Sequence, residues 1–155
     1  MKKILLAVDD TKSSIKTIDT MAEIFRTCMP GEVVLLYVQK IISGGSIMDN
    51  LIISDSEWET LKDSLEGTAY QDMRNEKAKK VIEYYCDHLD KKGITGIHPE
   101  VRKGHAAEEI LNVARDEEVE LIIMGCRSHR MHNLILGSVS REVSNNAEVS
   151  VLLVK

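Results

Sequence analysis

The apolar run Leu121-Ile122-Ile123-Met124 stops on Gly125, and a second glycine followed by hydroxyls, Gly137-Ser138-Val139-Ser140, comes shortly after it. Between them lies a basic stretch with Arg127, Ser128, His129, Arg130 and His132. A buried strand that ends on glycine and hands over to a helix N-terminus presents unpaired backbone N–H groups and the positive end of a helix dipole, which together attract anions. Arg127 suits the same chemistry as a phosphate clamp, because guanidinium groups bind phosphate oxygens strongly. The competing reading is a solvated basic loop. Cys126 beside Arg127 is either an activated thiol or a small core residue.

A second feature is Asp9, which follows Ile4-Leu5-Leu6-Ala7-Val8 and precedes a helical pattern. In an open parallel sheet, ligands bind beyond the carboxyl ends of the strands, where the strand order reverses. If the first and fourth strands are neighbours there, Asp9 and Gly125 share one crevice, and the carboxylate can accept hydrogen bonds from ribose hydroxyls. The alternative is that Asp9 only caps the following helix. Other familiar chemistries find no support. There is no GxxxxGK[ST] loop, GxGxxG, HExxH or GxSxG. The five histidines include one close pair, His129 and His132, with no local cysteine or carboxylate to complete a metal set.

These residues need a scaffold, and five short apolar runs supply candidate strands: Ile4 to Val8, Val33 to Val38, Ile97 to Val101, Leu121 to Met124 and Val149 to Val154. Four are continuous, as in strands buried on both faces of a parallel sheet. The third is mixed and carries Pro99, which predicts an edge strand. Helical spacing lies between them. Ser13 or Ser14 is expected to cap a helix with Ile15, Ile18, Met21, Ala22 and Phe25 on one face, stopped by Met29-Pro30-Gly31. A second is expected from about Ala69 to Leu89, turning Met73, Ala78, Val81, Ile82, Tyr85 and Leu89 inward, with Lys91-Lys92-Gly93 as its stop. A third spans Ala106 to Asp116, with Ile110, Leu111, Val113 and Ala114 inward, and a fourth opens near Gly137-Ser138 and ends near Asn145-Asn146. Alternating βα units predict an α/β fold with helices on both faces of the sheet.

The 155 residues suit a single domain, residues 1–155, with an insertion at about 39–68 that fits the βα alternation poorly. That insertion is either a surface excursion with a short helix or a lid or docking element. With aromatics at only 4% of residues, the core must be built of aliphatic side chains. The net charge of -5 argues against a nucleic-acid binder working by bulk electrostatics. No stretch approaches the roughly 18 apolar residues of a membrane span. Three scattered cysteines form no CxxC pair, so a reducing, cytoplasmic setting without a disulfide framework is expected.

Taken together, Lys3 to Asp9, Leu35 to Val38, Val101 to Gly104, Leu121 to Gly125, Leu136 to Ser140 and Val149 to Val154 resemble the universal stress protein family across nearly the whole chain. The resemblance implies an open five-stranded parallel sheet in the order 3-2-1-4-5, of the adenine nucleotide alpha hydrolase-like type, and homodimers formed through the last strand. One branch of the family binds ATP through G-x2-G-x9-G-[ST]; another lacks the motif. Carried over, the nucleotide-binding positions are Ala7, Val8, Asp9, Val38, Met124, Gly125, Gly137, Ser138, Val139 and Ser140, joined by Arg127 and Ser128 in the loop. Ser128 replaces the motif's second glycine, and eight residues rather than nine separate it from Gly137. Asp10 replaces a common glycine. The resemblance therefore implies a regulatory module in stress response that binds ATP or AMP, with or without magnesium, in a site that is more intact for adenine and ribose than for a triphosphate. The alternatives are an empty pocket on a protein-interaction module and a slow ATPase.

Overall fold

The computed structural model describes residues 2–27, 29–40, 69–126 and 136–155. The elements run β1 (Lys3–Val8), α1 (Lys12–Ile24), β2 (Glu32–Lys40), α2 (Ala69–Lys91), β3 (Ile97–Gly104), α3 (Ala106–Asp116), β4 (Leu121–Gly125), α4 (Ser138–Asn146) and β5 (Ser150–Val154). All strand pairs are parallel and the sheet order is β3-β2-β1-β4-β5. The order reverses between β1 and β4, where Ala7 lies opposite Met124. A crevice forms there because the helices following the two strands leave on opposite faces.

Side-chain alternation along the strands divides the core in two. Ile4, Leu6, Val33, Leu35 and Ile123 pack with Ile18 and Met21 of α1 and with Ile82, Tyr85 and Leu89 of α2. Leu5, Ala7, Val34, Leu36, Ile122 and Met124 pack with Ala107, Ile110, Val113 and Ala114 of α3 and Val143 of α4. Burial on both faces is why β1, β2 and β4 read as continuous apolar runs.

Pro99 does mark an edge: among the described residues β3 pairs with β2 alone, where a missing proline N–H is tolerated. β5 differs from the expectation of a strand buried on both faces. It is the other edge, and Val151, Leu152 and Leu153 remain partly exposed. The α1 cap also differs. Thr11, not Ser13 or Ser14, is the N-cap, and its side chain makes no capping hydrogen bond. Ser14 is instead drawn to Asp9, donating to its Oδ1 at 2.8 Å. Nor does α1 run on to Met29-Pro30-Gly31. It ends at Ile24, where the Phe25 N–H reaches Met21 O at 3.0 Å and the Arg26 N–H tightens onto Glu23 O. Met73, expected inside α2, is 59% exposed at the crevice mouth, and Leu111 of α3 is only partly buried. Gln39 and Lys40, read as the start of an insertion, complete β2. The remainder of the expected insertion lies outside the described residues.

Candidate nucleotide-binding crevice

At the β1–α1 turn, the Asp9 carboxylate organises the backbone. Its Oδ1 accepts from the Thr11 N–H at 2.9 Å, the Thr11 hydroxyl at 2.6 Å and the Ser14 hydroxyl at 2.8 Å. The Asp9 N–H in turn donates to Ser14 Oγ at 2.9 Å. One carboxylate oxygen thus braces the turn that leads into α1 without reaching a helix amide, so Asp9 is not the cap of that helix, while Oδ2 accepts no hydrogen bond among the described residues.

From the other side, α2 holds the turn in place. The Tyr85 hydroxyl donates to the Asp9 carbonyl at 2.8 Å, and burial pushes its pKa up to about 12. Lys77 pairs with Asp10. The Lys77 hydrogen bond holds the Asp10 carboxyl below its ordinary range against partial burial, and Asp10 raises Lys77 in return. The negative charge that Asp10 adds beside the crevice is therefore matched by a cation from α2.

Across the switch point, α4 begins at Ser138 with Gly137 as N-cap. Gly137 N–H donates to Cys126 O at 3.0 Å, and Cys126 N–H donates to Val154 O at 2.9 Å, which fastens the helix start to the ends of β4 and β5. Ser140 is buried, and its hydroxyl donates to Gly137 O at 3.0 Å, so it secures the turn. The amides of Ser138, Val139 and Ser140 are the first of the helix and have no partner within it. Cys126 is buried, as a small core residue would be.

A cavity of about 640 Å³ joins these parts, within the range of about 300–1,000 Å³ usual for small-molecule sites. Ala7, Val8, Asp9, Val38, Met124, Gly125, Gly137, Ser138, Val139 and Ser140 all line it. Arg127 and Ser128, with the basic loop, lie outside the described residues. Apolar walls come from Ala7, Leu36, Val38, Ile110, Met124 and Val139, and Asp9 and the α4 amides supply polar groups at its rim. Such an arrangement suits a flat apolar ring joined to a hydroxylated and an anionic part. No group of three histidine, cysteine or acidic side chains able to hold a metal occurs among the described residues.

Among the polar residues of this cavity that sequence reasoning missed are Gln39, Arg74 and Lys77. Lys77 had a signal, since Asp10 at a strand end calls for a nearby cation. Gln39 had a weaker one, a polar residue inside a β-branched and aliphatic run. It is only 4% exposed, and its Nε2 donates to Arg74 O at 2.9 Å while its Oε1 accepts no hydrogen bond among the described residues. Because Arg74 O is an acceptor, the amide cannot be turned the other way without losing that bond. An unmet buried acceptor costs about 1–3 kcal/mol.

Comparison with known proteins agrees with this architecture. The family model for the universal stress protein family matches residues 1–155. Universal stress protein YxiE of Bacillus subtilis is 27% identical over 162 aligned positions, covering 99% of this chain and 98% of its own. Universal stress protein UspA from Lactobacillus plantarum superimposes with a TM-score of 0.73 at 18% identity, covering 99% of this chain and 97% of that one. The universal stress protein from Archaeoglobus fulgidus, solved in complex with dAMP, gives a TM-score of 0.60 at 18% identity, with coverage of 100% and 98%. The parallel sheet with its reversal between β1 and β4 thus has close structural counterparts, and with the family model matched from end to end, this chain belongs to the universal stress protein family.

Proposed function

We propose that the chain is an adenine-nucleotide-binding regulatory module of the stress response, taking AMP or ATP at the crevice between β1 and β4. The observation that carries this reading is one cavity joining an apolar slot, the second carboxylate oxygen of Asp9 and the leading amides of α4. In it the base occupies the slot, Asp9 holds the ribose, and the phosphates meet Gly125, Gly137, Ser138 and Ser140, with Arg127 and Ser128 adjoining. The dAMP bound by the Archaeoglobus fulgidus protein supports the ligand class. We read the module as one domain, residues 1–155, working in the cytoplasm; no helix among the described residues is long and apolar enough to cross a membrane.

Calorimetric titration of ligand-free protein with ATP, ADP and AMP tests the reading. Saturable one-to-one binding that weakens at least tenfold in Asp9→Ala is expected, and no saturable signal at millimolar nucleotide would overturn it. We read the activity as binding rather than turnover: on this reading Asp9 Oδ2 is taken by the ribose and Asp10 by Lys77, so neither carboxylate is left to orient a water. A phosphate-release assay separates this from slow ATP hydrolysis. The partly exposed apolar side chains of β5 favour a homodimer through that edge, and they are also what a protein-interaction module would use. Sedimentation of Leu152→Lys against the parent chain decides whether β5 is the dimer edge.

A further inference from the structure

Met73 is a large apolar side chain left 59% exposed, and it lines the crevice rather than the core. Its helix changes character along its length. Among residues 71–77 of α2 none is buried, whereas burial begins at Ala78 and recurs at Ile82, Tyr85 and Leu89. Polar bonds tie the earlier turns to the strand ends. Gln39 Nε2 donates to Arg74 O at 2.9 Å, the Arg74 guanidinium donates to Lys40 O, and Lys77 pairs with Asp10. Exposed polar pairs hold weakly, and segments short of buried apolar contacts open locally at much lower cost than the whole fold. The same turns supply Met73, Arg74 and Lys77 to the cavity wall. A weakly docked stretch of helix therefore forms one side of the crevice.

Resting on the nucleotide reading above, we propose that residues 71–77 of α2 form a strap whose docking is coupled to occupancy of the crevice, with Met73 as the side chain through which the ligand holds it down. A ligand shifts a docking equilibrium only by contacts that it makes in one state and not in the other. Met73 supplies such a contact, because it meets the ligand only while the strap is docked. Covering it removes apolar surface of both protein and ligand from water. Its unbranched thioether chain adapts to the shape it covers. Occupancy is thereby passed to the outer face of α2, where Asn75, Glu76 and Lys79 are exposed.

The test is amide hydrogen exchange of the full chain with and without AMP, at a concentration that calorimetry shows to saturate it. In the parent chain AMP is expected to slow exchange of the amides of residues 73–80 by about five- to tenfold. A strap that frays independently of the crevice exchanges at the same rate with and without ligand, even where AMP protects the core by stabilising the whole fold. Met73→Ala removes the ligand's hold without disturbing a buried site, so AMP should still bind through Asp9 and the start of α4 while the slowing at residues 73–80 falls to within about twofold. Lys77→Met should speed exchange of the same amides in the ligand-free chain by about two- to fivefold. Unchanged exchange at residues 73–80 in AMP-saturated parent chain overturns the proposal and leaves nucleotide binding intact. Undiminished slowing in AMP-saturated Met73→Ala, or no acceleration in Lys77→Met, overturns it as well. A parent chain that gives no saturable heat with AMP overturns both the strap and the nucleotide reading.

Discussion

Replacing Tyr85 by phenylalanine removes one hydroxyl from the joint between α2 and the Asp9 turn, and its effect should reverse sign with pH. The hydroxyl donates to Asp9 O at 2.8 Å from a side chain that is 3% exposed. Near neutrality the loss of that bond costs about 1 kcal/mol. The same burial raises the phenol from 10.0 to about 12 in the folded protein. A group whose folded pKa lies above its unfolded value contributes stability that is complete below the unfolded pKa and is lost as pH rises through the folded one. At about 1.36 kcal/mol per unit, this withdraws roughly 2 kcal/mol from the parent chain by about pH 12. Phenylalanine does not titrate, so Tyr85→Phe is expected to be the less stable protein at pH 8 and the more stable one above about pH 11. Urea unfolding of the two proteins in parallel between pH 8 and 11.5 measures the difference, in which the titration of all other groups cancels. A constant offset across that range would refute the buried-phenol reasoning.

Three further outcomes follow from the geometry. Gly96 has φ +69° and an added Cβ would sit 2.5 Å from Gly31 O, whereas Gly93 at φ +77° has nothing within 4 Å; Gly96→Ala should cost clearly more than the roughly 1–2 kcal/mol of backbone strain expected for Gly93→Ala by denaturant unfolding. The Asp10–Lys77 pair is 48% and 58% exposed at its two side chains, so Lys77→Met should cost less than about 1 kcal/mol at neutral pH. Asp10 is lowered from 3.8 and Lys77 raised from 10.5. The pair's contribution is therefore present between these values, lost as pH falls through the depressed Asp10 value or rises through the elevated Lys77 value, and should shrink in high salt. Ser140→Ala, which removes the 3.0 Å bond to Gly137 O, should lower stability by about 1 kcal/mol and weaken nucleotide binding, as thermal shifts with and without AMP would report.

The sheet was legible because period and burial act locally. Ile4 to Val8 and Leu121 to Met124 are apolar without alternation, and they turn out to be neighbouring central strands covered on both faces. Pro99 announced an edge for the plain reason that it lacks an N–H. β5 misled because a continuous apolar run can mean burial by helices or an edge left for another surface, and sequence alone does not separate the two. The α1 cap was misplaced because Ser14 had a better partner in Asp9 than in the helix amides. Met73 follows the inward spacing of α2 but lies at the crevice mouth, ahead of the buried positions that begin at Ala78, so the periodicity outran the core. The crevice residues at β1, β4 and α4 could be named from local motifs. Gln39 and Lys77 left only indirect signals and Arg74 none, since their place in the cavity depends on the packing of α2 against β2, a contact between segments more than thirty residues apart.

On the proposed function, one crevice at the reversal between β1 and β4 holds an adenine nucleotide, and backbone amide chemical-shift mapping with AMP is the measurement that checks it. The expected result is a saturable set of shifts confined to Ala7–Asp9, Val38 and Gln39, residues 71–77 of α2, Gly125, and Gly137–Ser140, absent in Asp9→Ala at the same AMP concentration. Shifts gathered on another surface, or no saturable shifts with millimolar AMP or ATP, would contradict it.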